Sequence, residues 1–326
     1  MHLAIGSNPI EDDLASTDST DPAELVHEAR KAVKRMRALA RLLRDELGEQ
    51  EFSRVNSSLR DAGRRLAGAR DAEVRLATLH ELIERHPRAL APARDPSRHA
   101  RVPATRGHAL APPLDPRGQA LAPSSRRPSS EREHEQGREG IRLLEQRLQR
   151  ERLENSQPSD IDEVLSDIAA MRAELGRLSL VDIDFATLAP GLERIYREGR
   201  RRYKRCARTG GCEEQDVHDW RKRVKSLYYA LDMLGAKKAK GARRPTRRAN
   251  RLGDLLGAEH DLWMLCVYVE GHPEAFGADT LARTELLKRI ERRRRRQRKR
   301  ALALGAGLYR RKPGKFTRRI GRALAG

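Results

Sequence analysis

The sequence predicts an all-α fold, and three observations carry that prediction. No segment sustains the alternation of polar and apolar residues that marks a strand, and no β-branched run occurs. Apolar residues recur instead at helical spacing, between Gly and Pro stops. The third observation is internal: H-x-x-R-K-x-V-K is found at His27–Lys34 and again at His218–Lys225, 191 positions apart.

Taken in order, residues 1–20 are polar and non-periodic, which predicts a disordered segment. Asp21-Pro22 then opens a helix, with Asp as the cap, Pro at the first helical position and Glu24 three residues after the cap. The pattern runs to Leu47 and stops at Gly48. A second helix is predicted over Phe52–Arg85, ending before Pro87. Pro87 to Pro128 holds nine prolines among scattered Arg, Ala and Ser, so 87–132 reads as a disordered, cationic, Pro-rich insert. Helical patterns resume at Glu133–Asn155 and Ser159–Leu178. Further helices follow at Thr187–Thr209 (ended by Gly210-Gly211), Glu213–Leu234 (ended by Gly235), Arg243–Glu270, Thr280–Leu304 and Lys315–Leu324. Segments 21–86 and 133–185 then form a first helical repeat, and 186–326 a second.

The 326 residues suit two domains or one large repeated unit. With 38% hydrophobic and 4% aromatic residues, a core depends on those helical stripes. No apolar run reaches the roughly 20 residues of a bilayer span. Glu11, Asp12 and Asp13 stand where an export signal would need cations and an apolar stretch. Cys206, Cys212 and Cys266 are odd in number and lack CxxC spacing, which argues against a disulfide framework or a zinc site and for the reducing cytoplasm. Against 47 acids stand 68 Lys and Arg, a net charge of +21. Such a field attracts polyanions: nucleic acid, an anionic membrane face or phosphate chains.

A second match follows each copy of the repeat. Leu66-Ala67-Gly68-Ala69-Arg70-Asp71 parallels Leu256-Gly257-Ala258-Glu259-His260-Asp261. The chain therefore reads as a duplicated helical hairpin completed by later helices. On a helical wheel His27, Arg30, Lys31, Lys34, Arg37, Arg41 and Arg44 share one side, and Ala32, Val33, Met36, Leu39, Ala40, Leu43 and Leu47 the other. In the second copy His218, Arg221, Lys222 and Lys225, with Tyr228 and Tyr229, oppose Trp220, Val224, Leu227, Leu231 and Leu234. Like charges at i,i+3 and i,i+4 cost about 0.2–0.5 kcal/mol each, so a row of five or more left unpaired costs about 1–2 kcal/mol. A single basic helix face is ordinarily a solvated surface. Its duplication with matching residue types makes it a candidate polyanion site.

Arg197, Arg201, Lys204 and Arg208 form another one-sided row and join that candidate. Arg292–Arg300, basic at eight of nine positions all round the helix, reads as a solvated patch. His27 and His218 are candidate phosphate donors whose pKa the neighbouring cations should depress until a polyanion binds, so affinity should strengthen as pH falls through about 6.5. The alternative for either histidine is a helix-start side chain satisfied locally. His260-Asp261 is a tempting metal pair, but adjacent helical residues point about 100° apart, and Arg70 takes the place of His260 in the first copy. Asp71 and Asp261 are better read as orienting Arg30 and Arg221. No phosphate loop, GxGxxG, HExxH or nucleophile elbow is present, so neither a catalytic group nor a cofactor is expected.

Two copies of H-x-x-R-K-x-x-K, each followed by an R/H-D pair, resemble the CHAD family (conserved histidine α-helical domain). Val26–Arg37, Asp216–Lys225, 66–71 and 256–261 carry the likeness, which extends over about 24–86 and 133–324. The resemblance implies two four-helix units related by an approximate two-fold axis, with basic helices lining a shared groove. It implies binding of inorganic polyphosphate and location at polyphosphate granules. Some members accompany a triphosphate tunnel domain, which has no counterpart in this sequence. The family also places a helix ahead of the first His, where this chain has residues 1–20. The residues carried over are His27, Arg30, Lys31, Lys34 and Arg37, with His218, Arg221, Lys222 and Lys225. The expectation is a cytoplasmic, non-catalytic polyphosphate binder. Its rivals are a nucleic-acid-binding protein, a metal-dependent phosphohydrolase and a scaffold that coats granules through the insert.

Overall fold

A computed structural model describes residues 22–66, 68–86, 129–154, 161–177, 184–208 and 212–325. The predicted disordered segment 1–20 and residues 87–128 of the predicted insert lie outside these, as do the expected stops at Gly210 and Gly211. Within the described residues the fold is all-α. In chain order the helices are α1 Pro22–Leu42, α2 Arg44–Arg65, α3 Gly68–Arg85, α4 Ser129–Glu154, α5 Ile161–Arg177, α6 Phe185–Arg208, α7 Glu214–Met233, α8 Arg243–Gly271, α9 Thr280–Leu308 and α10 Pro313–Ala325. A short 3-10 turn, Pro273–Phe276, joins α8 to α9.

Several boundaries differ from the pattern, α9 running to Leu308 instead of Leu304, and three others have a local cause or bear on the insert. α1 ends at Leu42 instead of Leu47, and a kink then leads to Gly48, whose φ of 73° is the left-handed conformation that suited it as a stop. Phe52–Arg85 is two helices, because the chain turns at Leu66, whose N–H donates to the carbonyl oxygen of Ala62. Its counterpart in the second copy runs straight through Gly257 inside α8. Residues 129–132, counted with the insert, open α4.

Three apolar cores hold the helices. One joins Val26, Val33, Met36 and Ala40 of α1 to Val55 and Leu59 of α2 and Val164, Ile168 and Leu175 of α5. A second packs Leu76, Leu79 and Leu82 of α3 and Ile141, Leu144 and Leu148 of α4 on Leu262, Leu265, Leu286 and Ile290 of α8 and α9. The third and largest gathers the end of α1, α6, α7, the first half of α8 and α10 around Tyr196 and Trp220. The wheel's apolar face is buried in both copies, from Val33 and Met36 to Trp220 and Val224. α6 crosses α1 at Gly191, where a Cβ would lie 2.1 Å from the Leu42 carbonyl oxygen. Only glycine allows that approach, which brings the face of α6 bearing Glu198 towards α1 and α7.

The cysteines correct an expectation. Cys206 near the end of α6 and Cys212 just before α7 form a disulfide with their Cα atoms 4.6 Å apart, while Cys266 is free and buried. Odd number and missing CxxC spacing did not exclude a pair that a reversal of chain direction brings together. The argument for a reducing compartment that rested on unpaired cysteines no longer holds. No helix among the described residues is long and apolar enough to cross a membrane.

Candidate functional site

α1 and α7 pack side by side, and two contacts set their direction. Arg41 Nη1 donates to Ser226 Oγ at 3.3 Å, and Arg35 Nη2 donates to Asp232 Oδ2 at 3.4 Å. Residue numbers rise along one helix as they fall along the other, so the pair is antiparallel. Each contact becomes the other when Arg35 is exchanged for Ser226 and Arg41 for Asp232, their counterparts 191 positions on. A two-fold axis beside Ala38 and Tyr229 would impose that relation.

Cations from both helices crowd the middle of this pair. Arg37 Nε and Arg41 Nη2 donate to the same acceptor, Asn56 Oδ1 of α2, at 3.3 and 3.4 Å. Burial lowers the pKa of Arg37, and the Arg60 and Arg223 guanidinium groups lower it further. Arg41 is pushed down to about 10 by burial, then by Arg37 and Arg223, with Glu198 of α6 opposing. Glu198 is itself paired with Arg223 at 2.8 Å. Lys222 is depressed by burial as well, partly restored by Asp219 and lowered again by Arg37 and Arg223. Partly desolvated like charges of this kind favour whatever anion relieves them.

His218 lies beside this cluster, half-buried, its Nδ1 buried without a hydrogen-bond partner. Its ring is 4.8 Å from that of His260 on α8. The expected depression is seen here: burial lowers His218 first, then Lys222 and Arg221. His260 falls to about 3 through burial, Arg221, His218, Lys222 and Arg294. Among the described residues no group of three or more His, Cys, Asp or Glu is placed to hold a metal ion.

The other predicted residues are spread further. The antiparallel register puts His27 and His218 at opposite ends of the helix pair. His27 and Lys34 are exposed on α1, and Lys31 pairs with Glu28 at 3.0 Å. That acid stands one position after His27 on the same helix. Arg30 Nη1 donates to the carbonyl oxygen of Leu66, at the turn ahead of Asp71. Lys225 pairs with Asp254 at 3.1 Å. Arg197, Arg201 and Lys204 line an open groove of their own, about 430 Å³, with Arg200, Arg205, Arg208 and Pro313. Arg223, Arg60 and His260 were missed as site residues. Arg223 sits where the first copy has Ala32, and Arg60 comes from a helix outside the repeated motif.

The basic run on α9 is solvated as expected at Arg292, Arg295, Arg296, Lys299 and Arg300, but not all round the helix. Arg294 is 5% exposed and donates to Glu259, itself 2% exposed, through Nε at 3.1 Å and Nη2 at 3.0 Å. Arg298 donates to the same Glu259 oxygen at 2.9 Å and also reaches Glu214. Arg293 reaches Glu81 of α3 at 2.5 Å, and Arg295 pairs with Glu291 at 2.8 Å. The run is partly internal, neutralised by Glu81, Glu214 and Glu259, which the sequence holds far away, and by Glu291 just ahead of it.

No curated protein and no solved structure matches this chain. A family model, described as the CHAD domain, matches residues 11–270 continuously, across the insert and into the segment before α1, while α9 and α10 lie beyond it. The expected likeness was bounded differently, at 24–86 and 133–324. With the paired motif helices packed together and their cations facing, that match makes the chain a member of the CHAD family.

Proposed function

We propose that this protein binds inorganic polyphosphate without acting on it, in the groove between α1 and α7, and that it associates with polyphosphate granules in the cytoplasm. The observation that carries the reading is the crowding of Arg37, Arg41 and Lys222 with Arg223, whose charges burial and mutual repulsion disfavour in the free protein. A phosphate chain relieves that repulsion. Arg37, Arg41 and Arg223 supply planar forks for bidentate contacts and Lys222 a point charge. Counterion release adds to the affinity and makes it fall with salt. The half-buried His218 gains a proton more readily beside a bound anion, so binding strengthens as pH falls.

Base stacking, on which single-strand binders rely, gains nothing from Trp220 and Tyr196, which are buried in the core, while Tyr228 and Tyr229 are half-buried on α7. Calorimetric titration with long-chain polyphosphate at two salt concentrations tests the proposal, with short DNA and RNA as competitors. The variant R37Q/R41Q/K222Q/R223Q should keep its helical content and lose at least about 100-fold in affinity, about 2.7 kcal/mol. Equal displacement by nucleic acid at matched phosphate concentration would replace this reading with the nucleic-acid one. Phosphate release on adding a divalent metal would make the protein a hydrolase.

A further inference from the structure

We infer a second phosphate-binding surface on the outer face of α10, which engages a distant stretch of the same polymer and makes binding depend on chain length. The inference rests on the polyphosphate reading above and extends it to residues which the family match does not reach.

α10 contains no Asp or Glu. Lys315, Arg318 and Arg322 recur on it at helical spacing, with Arg311 just ahead of its first turn, and these four with Arg319 line an open groove of about 420 Å³. Among the described residues none of the four makes an ion pair, whereas Arg293, Arg294, Arg295 and Arg298 of α9 all do. The opposite face of α10 is fixed to the core: Phe316, Thr317 and Ile320 are buried, and the Phe316 ring stacks on Tyr196 at 3.9 Å. The result is a rigid platform with an unneutralised cationic side. The groove along α6 meets it at the same turn, since Pro313 lines the one and Arg311 the other.

The chemistry of the band selects the occupant. Tyr196, Tyr309 and Phe316 lie beneath it in the core, so these rings offer no face to a base and no apolar surface to a lipid. What remains is recognition of repeated phosphate charge. A polymer held in the α1/α7 groove presents its far end at high effective concentration, so the second contact adds affinity only for chains long enough to reach it.

Titrating the full chain with tripolyphosphate and with polymers of several hundred phosphates decides the matter. The wild type should prefer long chains per molecule by more than the number of phosphates explains. The variant R311Q/K315Q/R318Q/R322Q, at positions exposed or nearly so, should lose about 10-fold for the long polymer and nothing for tripolyphosphate. The slope of log affinity against log salt should flatten by about 3, from roughly 0.7–0.9 per neutralised phosphate. Unchanged long-chain affinity in a wild type that does bind overturns this inference and leaves the α1/α7 groove standing. A loss confined to duplex DNA assigns the platform to nucleic acid and overturns it too. A wild type that binds no phosphate chain overturns both readings.

Discussion

Two regions of this molecule crowd arginines together, and the net shift of a guanidinium is opposite in the two. In α9, burial works against the charge on Arg294, but hydrogen bonds and attraction from Glu214 and Glu259 outweigh it and raise its pKa. Between α1 and α7, burial and neighbouring cations act together and lower Arg41 to about 10. Density of basic residues therefore does not mark an anion site. The placement of acids does, and acids placed by tertiary contact are invisible to local charge counting.

The sharpest way to break this contrast is to remove the acid that neutralises α9. Glu259 accepts from both Arg294 and Arg298 while almost fully buried. E259Q leaves a buried guanidinium facing a neutral amide, a change that costs about 3–5 kcal/mol when no other partner remains. Glu214 still reaches both arginines, so about 3 kcal/mol is expected, measured by urea unfolding. Stability equal to wild type would mean that the α9 run is not held by internal pairing.

The histidine pair joins the two regions, since His260 lies in the field of Arg221 and Lys222 on one side and of Arg294 on the other. His260 titrates near 6.5 unfolded and about 3 folded, so below pH 6.5 the unfolded chain binds more protons. Stability is then lost as pH falls and regained as it rises. Between pH 6.5 and 5 this one group accounts for up to about 2 kcal/mol, from 1.36 kcal/mol per unit of pKa shift. Unfolding curves of H260N should be flatter over that range than those of the wild type. Parallel curves would remove His260 from the account.

Much of the architecture was legible because it is local. Gly48 and Gly235, expected as stops, have φ of 73° and 67°, and the apolar faces of both motif helices are buried as the wheel divides them. The cationic helix faces that carry Arg37, Arg41 and Lys222 were legible for the same reason. Three features were not. The pairing of Cys206 with Cys212 depends on how the chain reverses between α6 and α7. The burial of Arg294 depends on Glu214, 80 residues away, and on Glu259, 35 away. The separation of Arg197, Arg201 and Lys204 from the central groove depends on which face of α6 meets α7. The α10 stripe differs from these, since the spacing of Lys315, Arg318 and Arg322 is written in the sequence.

The smallest expected effect is the most telling about the groove. If its cations are held together at a cost, removing one should do the fold no harm. Arg37 gives up a hydrogen bond to Asn56, worth about 0.5–1.5 kcal/mol, and relieves repulsion with Arg60 and Arg223 of similar size. R37Q should therefore unfold within about 0.5 kcal/mol of wild type, as most changes away from strong interactions do. Its affinity for a phosphate polymer should nonetheless drop severalfold, and the loss should shrink as salt rises and screens the remaining cations. In E259Q the order is reversed, with stability lost and polymer affinity retained wherever the chain is folded. A destabilised R37Q would place its guanidinium in the same class as that of Arg294, as a strut of the fold.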